Sequence, residues 1–292
     1  MSTPILQLIS LRRILKDILP PLAMKGWRRL RMSGIDGVKT TDITFTGDYA
    51  SWTDAQCQSV GYDSTIILQK TREALLAVKH GEAAFERDSV IFEKPEYTYP
   101  LIAALLRAVV RSDGRLSVLD FGGSLGSSYF QCRKFLDVIP QLEWLVVEQK
   151  THVDCGRRDF QSEQLRFFYS VEEVLVLHKP NVLLLSSVLQ YLPDPYEVLV
   201  TLLGHRIDNV IIDRTGFLER NRDRLTVQHV PSTIYSASYP AWFLSESKLL
   251  EILAASNYIL VTDYDAIDTL TPVDEKAYYK GFVFEQSDCD HP

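Results

Sequence analysis

The sequence predicts an α/β fold of the Rossmann-like kind, a mostly parallel sheet covered by helices. Three observations predict it. At Ser117-Val118-Leu119-Asp120-Phe121-Gly122-Gly123-Ser124-Leu125-Gly126 an apolar run ends in an acid and a glycine-rich turn, and Ser127 to Leu136 then turns helical. Strand, tight turn and helix in that order bring a nucleotide-like ligand against bare backbone N–H groups. Asn181-Val182-Leu183-Leu184-Leu185 is apolar on both faces, as a central parallel strand should be. The chain closes with two further strands, Tyr258–Thr262 and Lys280–Glu285, about 20 residues apart.

Composition sets the limits. The chain has 292 residues, 46% of them hydrophobic, enough for one large α/β domain with an elaborated N-terminal part. Its net charge of -7 does not favour nonspecific binding to nucleic acid. Residues 1–31 go against that balance. They carry seven Lys and Arg against Asp17, a local +6, on two short amphipathic patterns broken at Pro20-Pro21. Such a segment can lie on an anionic membrane surface, pack on its own domain, or meet a partner or a second copy of the chain. The four cysteines (Cys57, Cys132, Cys155, Cys289) form no pair motif, so reduced thiols in the cytoplasm are expected, without metal or disulfides. No transmembrane run or signal peptide is expected, and the localisation reading is cytoplasmic, with residues 1–31 able to reach the inner membrane.

Taken in order, the elements divide the chain into basic N-terminal helices at 1–45, a helical cap or substrate region at 46–112, and a Rossmann-like domain at 113–288. In the cap, Asp63 or Ser64 opens a helix through Ile66, Ile67, Leu68, Leu75 and Val78 that stops near Gly81. Arg87 and Asp88 follow, as a salt bridge or as substrate contacts. A helix from Tyr99 or Pro100 leads into the first strand, Leu116–Leu119. The second, Leu142–Val147, ends at Glu148, 28 residues past Asp120. The third is Leu165–Tyr169, with Ser170 placed to cap the next helix. The fourth runs from Asn181 into Ser186-Ser187-Val188-Leu189-Gln190-Tyr191. The fifth, Asn209–Ile212, ends at Asp213-Arg214. Residues 214–243, polar and aromatic, are expected to form a lid. Ser245 or Ser247 caps the helix through Leu249 and Leu253.

The NAD fingerprint G-x-G-x-x-G fails in register at both Gly122 and Gly123. What stands there, D-x-G-G-S-x-G, resembles the first motif of class I S-adenosylmethionine (SAM) methyltransferases, with Ser124 in place of the middle glycine. Further blocks point the same way: GDYASW, GYD, FERDSVIF, LDFGGSLGSSYF, SSVLQYLPDP and VPSTIYSASYPAWFLS. Together, over about Thr46 to Phe284, they resemble a methyltransferase family found in bacterial gene clusters for surface polysaccharides such as O-antigen and capsule.

The resemblance implies a seven-stranded class I SAM methyltransferase fold with an antiparallel last strand, SAM as cofactor, and a glycan or nucleotide- or lipid-linked sugar as substrate. It implies cofactor contacts at Asp120, Gly122, Gly123, Ser124, Gly126, Glu148 (ribose hydroxyls), Ser170 (adenine), Ser186 and Ser187 (methionyl end). Gln190 and Tyr191 then lie on the substrate side. The D/N-P-P-Y signature of many nitrogen methyltransferases is missing, which favours oxygen as acceptor. The residues themselves suggest more. His229, the one histidine of the lid segment, is the candidate base, with Asp213 as its orienter or alternative. Arg87 and Arg214 are candidates for an anionic substrate group. Tyr235 and Tyr239 suit a sugar face, though buried aromatics also simply fill cores. Three readings stay open: a sugar O-methyltransferase, a non-catalytic scaffold that keeps the fold, and an NAD enzyme.

Overall fold

The computed structural model describes residues 43–287 apart from 60–63, 88, 95, 233, 235–236, 267, 269–271 and 273. The expected helices of 1–31, with Asp88 and Tyr235, lie outside the described residues.

A seven-stranded sheet organises the rest. Its strands are β4 (Arg115–Phe121), β5 (Gln141–Val147), β6 (Leu165–Phe168), β7 (Val182–Ser186), β8 (Asn209–Leu218), β11 (Tyr258–Asp265) and β12 (Ala277–Gln286), in the order β11-β12-β8-β7-β4-β5-β6. Strands β4 to β8 run parallel, and β12 lies antiparallel between β8 and β11. A mostly parallel seven-stranded sheet with an antiparallel late strand is what the resemblance implies. The order reverses at β4, which has β5 on one side and β7 on the other. In open α/β sheets the ligand crevice lies at such a reversal, beyond the carboxyl ends of the strands.

Both faces of the sheet are covered, which is why its strands read as continuous apolar runs. On one face pack helices α2 (Ser64–Lys79), α3 (Tyr99–Arg111), α4 (Ser127–Leu136) and α5 (Lys150–Asp159), around Leu105, Leu116, Trp144 and Phe167. Helix α3 shows how the pattern works. Leu101, Ile102, Leu105 and Ala108 make one buried stripe, and Pro100 sits in the first turn, where its missing N–H costs nothing. On the other face α6 (Val171–Leu177), α7 (Pro195–Leu203) and α8 (Glu246–Ala255) pack around Leu185, Leu199, Ile212 and Leu249. Ser170 caps α6 and Ser245 caps α8, each side chain accepting from the backbone N–H three residues on. No helix among the described residues is long and apolar enough to cross a membrane.

Two regions differ from the sequence reading. The 46–112 region is not only helical. It holds strand β1 (Thr44–Tyr49), the short helix α1 (Trp52–Cys57) and the hairpin β2 (Phe85–Arg87) and β3 (Val90–Phe92). The 214–243 segment, expected as a lid, is built of strands. Strand β8 continues to Leu218, and β9 (Arg224–Val230) and β10 (Ala237–Phe243) then pair antiparallel and take β1 on the far side of β9. Strand β9 is buried along nearly all its length and β10 along most of it, which their polar and aromatic residues hid, because pairing between strands distant in sequence decides which side chains are covered.

Candidate functional site

The turn after β4 is set by backbone geometry. Gly122 (φ 74°) and Gly126 (φ 91°) lie in the left-handed region, and so does Ser124 (φ 52°) between them. Ser124 therefore adopts a conformation that glycine takes at no steric cost. Gly122 has a second reason to lack a side chain: a Cβ there would come within 2.3 Å of the Val188 side chain, so the loops after β4 and β7 touch at this point. Gly122 N–H donates to Val147 O (2.9 Å) and Gly126 N–H to Gly123 O (2.9 Å). Helix α4 begins at Gly126 with no side-chain cap and no acid in its first turn, leaving its positive end available to an anion. Glu86 of β2 reaches the same turn and accepts from Ser127 Oγ (2.7 Å).

Asp120 lies under this turn, 1% exposed, and accepts from Trp144 Nε1 (2.8 Å). Burial pushes its carboxyl up to about 7, with the Trp144 bond opposing and Glu148 adding to the rise. Glu148, half-buried just past β5, accepts from Gln149 N–H through one oxygen (2.7 Å). Beside it opens a cavity of about 460 Å³ whose walls include Phe121, Val147, Ser170, Val171, Val198 and Thr201. Its apolar floor comes from the ends of β4 and β5, and its polar rim from the start of α6 and from α7.

Across the reversal point, β7 and β8 contribute a second group. Ser186 Oγ donates to Asp213 Oδ2 (3.0 Å), and Tyr264 of β11 donates to Asp213 Oδ1 (2.9 Å). Asp213 is 2% exposed. Burial raises its pKa against the pull of Arg214 and these two bonds, and burial, with Asp213 behind it, likewise raises that of Tyr264. Arg214 pairs with Asp268 (2.8 Å), whose carboxyl is held low by Arg214 despite its burial, with a further contribution from Arg87. Arg87 also pairs with Glu96 (3.5 Å) and stacks on Phe92. The two arginines expected to bind an anion are thus each paired with an acid of the chain itself, Arg214 with Asp268 and Arg87 with Glu96. Gln190, 4% exposed, donates from Nε2 to Ser187 Oγ (3.0 Å) and to Arg214 O (3.1 Å).

His229 and Asp213 do not form the expected pair. His229 Nε2 meets Thr46 Oγ1 (2.9 Å) across the β1–β9 pairing, while both carboxylate oxygens of Asp213 are taken by Ser186 and Tyr264. Side chains alternate along a strand, so His229 lies on the face of β9 opposite Gln228. Gln228 joins the two described tyrosines: Tyr191 donates to Gln228 Oε1 (3.0 Å), Gln228 Nε2 to Tyr239 Oη (3.2 Å), and the two rings meet edge to face at 5.7 Å.

No described protein family matches the chain, and no curated protein does. Solved structures match the chain at low identity. Magnesium protoporphyrin IX methyltransferase (ChlM) from Synechocystis PCC 6803, with bound SAM, is 12% identical over 65% of this chain and 79% of its own, with a TM-score of 0.43. The N-terminal domain of EvdMO1, solved in the presence of SAH and D-fucose, is 13% identical over 76% and 96%, TM-score 0.41. An S-adenosylmethionine-dependent methyltransferase from Clostridium acetobutylicum ATCC 824 is 10% identical over 63% and 90%, TM-score 0.43. Likenesses this distant carry over neither a substrate nor a residue's role.

Four residues of the site escaped sequence reasoning: Glu86, Trp144, Tyr264 and Asp268. Trp144 reads as core, Glu86 lies in the FERDSVIF block with nothing to single it out there, and Tyr264 and Asp268 lie on β11 and in the segment after it, outside every block. Their roles arise only when β2 packs on α4 and β11 comes beside β12.

Proposed function

We propose that this chain is a SAM-dependent methyltransferase, and that it methylates a hydroxyl of a sugar in a bacterial surface glycan or its nucleotide- or lipid-linked precursor. One observation carries the reading: the left-handed turn over Asp120 and the carboxylate of Glu148 stand on neighbouring strand ends at the point where the strand order reverses. Glu148 offers paired oxygens for the two ribose hydroxyls. Phe121, Val147 and Val171 offer apolar surface for the base, with Ser170 at its edge. The first turn of α4 offers N–H groups for the carboxylate. Bound there, SAM supplies a sulfonium methyl group to a nucleophile.

The chain's own contribution is positioning, because methyl transfer is an in-line displacement whose barrier falls when donor and acceptor are held in contact. Gln190, Tyr191 and Tyr239 are the proposed acceptor contacts, and Ser186 and Ser187 line the junction between the two halves. Asp213 serves by holding Ser186 and Tyr264 rather than as a free base. His229 acts on the acceptor only if the β1–β9 face opens toward it. Arg87 and Arg214 bind an anionic substrate group by exchanging Glu96 and Asp268 for it. The sugar assignment rests on the sequence blocks named above. Residues 1–31, with their local +6, are proposed to bring the enzyme to an anionic membrane surface or an assembly partner. The backbone of Ser124 supports catalysis over the scaffold reading, since the serine keeps the turn that the glycine would make.

Calorimetric titration with SAM and with S-adenosylhomocysteine tests this. Micromolar binding of both by the intact chain, lost in Glu148→Ala and Asp120→Ala, is the expected result. Binding of neither compound by the intact chain sinks the methyltransferase reading.

A further inference from the structure

Gln190 presents an unpaired hydrogen-bond acceptor. Its Oε1 is buried and has no partner among the described residues, in a side chain only 4% exposed. A buried acceptor left unmade costs about 1–3 kcal/mol, so a fold that retains one invites a ligand. The amide cannot relieve this by turning over. Nε2 donates to the carbonyl of Arg214, and a carbonyl can be met only by a donor, so turning the amide would set oxygen against oxygen. The group's other partner is Ser187 Oγ.

The surroundings are arranged around this side chain. Ser187 (φ 54°) and Arg214 (φ 53°) both hold left-handed backbone, which non-glycine residues rarely keep without a reason. Ser187 N–H also bonds Asp213 O (2.9 Å), locking the ends of β7 and β8 together beneath Gln190. The unpaired oxygen therefore stands above two adjacent parallel strand ends, beside the crevice where the proposed cofactor binds.

We infer that Gln190 Oε1 is the acceptor for the hydrogen carried by the group that receives the methyl, so that the substrate must offer an O–H or N–H at that atom. This inference rests on the SAM reading and sharpens it. A carboxylate, a thiolate or a tertiary amine has no such hydrogen and leaves the Gln190 oxygen unpaired, a penalty that selects against it. A hydroxyl or an amine donates to Gln190, which turns its lone pair toward the methyl group. As the nucleophile's oxygen or nitrogen forms its bond to carbon and the carbon–sulfur bond breaks, the hydrogen becomes acidic and passes to solvent, leaving S-adenosylhomocysteine and a methyl ether or methylamine.

Sinefungin tests this without knowledge of the substrate, because it carries an amine-bearing carbon where SAM has its methylated sulfur, whereas S-adenosylhomocysteine has no donor there. The ratio of the two affinities, measured calorimetrically, reports on a hydrogen-bond acceptor beside the transfer point. Gln190→Met is expected to weaken sinefungin by at least about tenfold, as loss of a hydrogen bond to a charged donor does, with S-adenosylhomocysteine nearly unchanged. Gln190→Asn keeps an amide but draws its oxygen back by one methylene, and is expected to lower the ratio as well, which decides the matter even if the Met variant fails to fold. A ratio unchanged in both variants overturns the inference and leaves Gln190 with a bound water only. Failure of the intact chain to bind either compound overturns the SAM reading itself, a result separable from the first.

Discussion

Ser124 holds φ 52° in a turn whose neighbours at the same kind of φ are glycines. An L-residue there costs about 1–2 kcal/mol relative to glycine, so Ser124→Gly is expected to stabilise the fold by roughly 1 kcal/mol, measured by urea unfolding, and to leave SAM affinity intact. Asp120 gives a pH prediction whose sign is fixed. Burial first, then Glu148, raises its carboxyl to about 7 against the Trp144 bond, while in the unfolded chain it titrates near the ordinary value of about 3.9. The folded state thus keeps a proton that the unfolded state has lost. The stability from that proton is present below about pH 4 and gone above about pH 7. Asp120→Asn cannot titrate and keeps an oxygen for Trp144. Between about pH 4 and pH 8 it should gain on the parent by up to about 4 kcal/mol, an upper bound. Equal slopes of unfolding free energy against pH in the two proteins would refute it.

Elements meet at two contacts that can be broken singly. The loops after β4 and β7 touch through Gly122 and Val188. Gly122→Ala adds a methyl into that contact at positive φ, and is expected to cost about 3 kcal/mol from overpacking and backbone strain together. Adding Val188→Ala should recover the overpacking part and not the rest, a non-additivity that a double-mutant cycle measures. The second contact is Arg224 on β9. Its guanidinium is 4% exposed and bonds Gly47 O (2.8 Å), Glu275 (3.1 Å) and Asp274 (2.9 Å), tying the three-stranded sheet to the segment before β12. Arg224→Met leaves Glu275 to Arg222 (2.8 Å) and the more distant Arg220 (3.8 Å). The expected loss is about 3 kcal/mol in denaturant unfolding.

For the molecule as a whole, a ligand that binds the folded state alone shifts its melting. At SAM concentrations 100-fold above Kd the stabilisation is about 2.7 kcal/mol, expected to raise Tm by roughly 5–10 °C for a domain of this size. NAD should produce no shift, and Glu148→Ala should abolish the SAM shift. Differential scanning fluorimetry distinguishes these outcomes. A shift with NAD alone would favour the dinucleotide reading, which the failed glycine register argues against.

The sequence by itself determined the parallel core of this protein. Strands buried on both faces read as apolar runs, the turn after β4 announces itself by its glycines, and Ser170 and Ser245 cap helices through bonds only three residues long. All of these are local, and local chemistry is written in neighbouring residues. Tertiary structure alone decided the partners of Asp213, the pairing of Arg214 with Asp268, the strand pairing that turns His229 away from Gln228, and the unpaired oxygen of Gln190. Each depends on groups 24 to 183 positions apart, as in the Trp144–Asp120 and Thr46–His229 contacts, brought together by the sheet. Spacing along a chain holds no record of such meetings, because they are fixed by which strands lie side by side and which face each side chain takes.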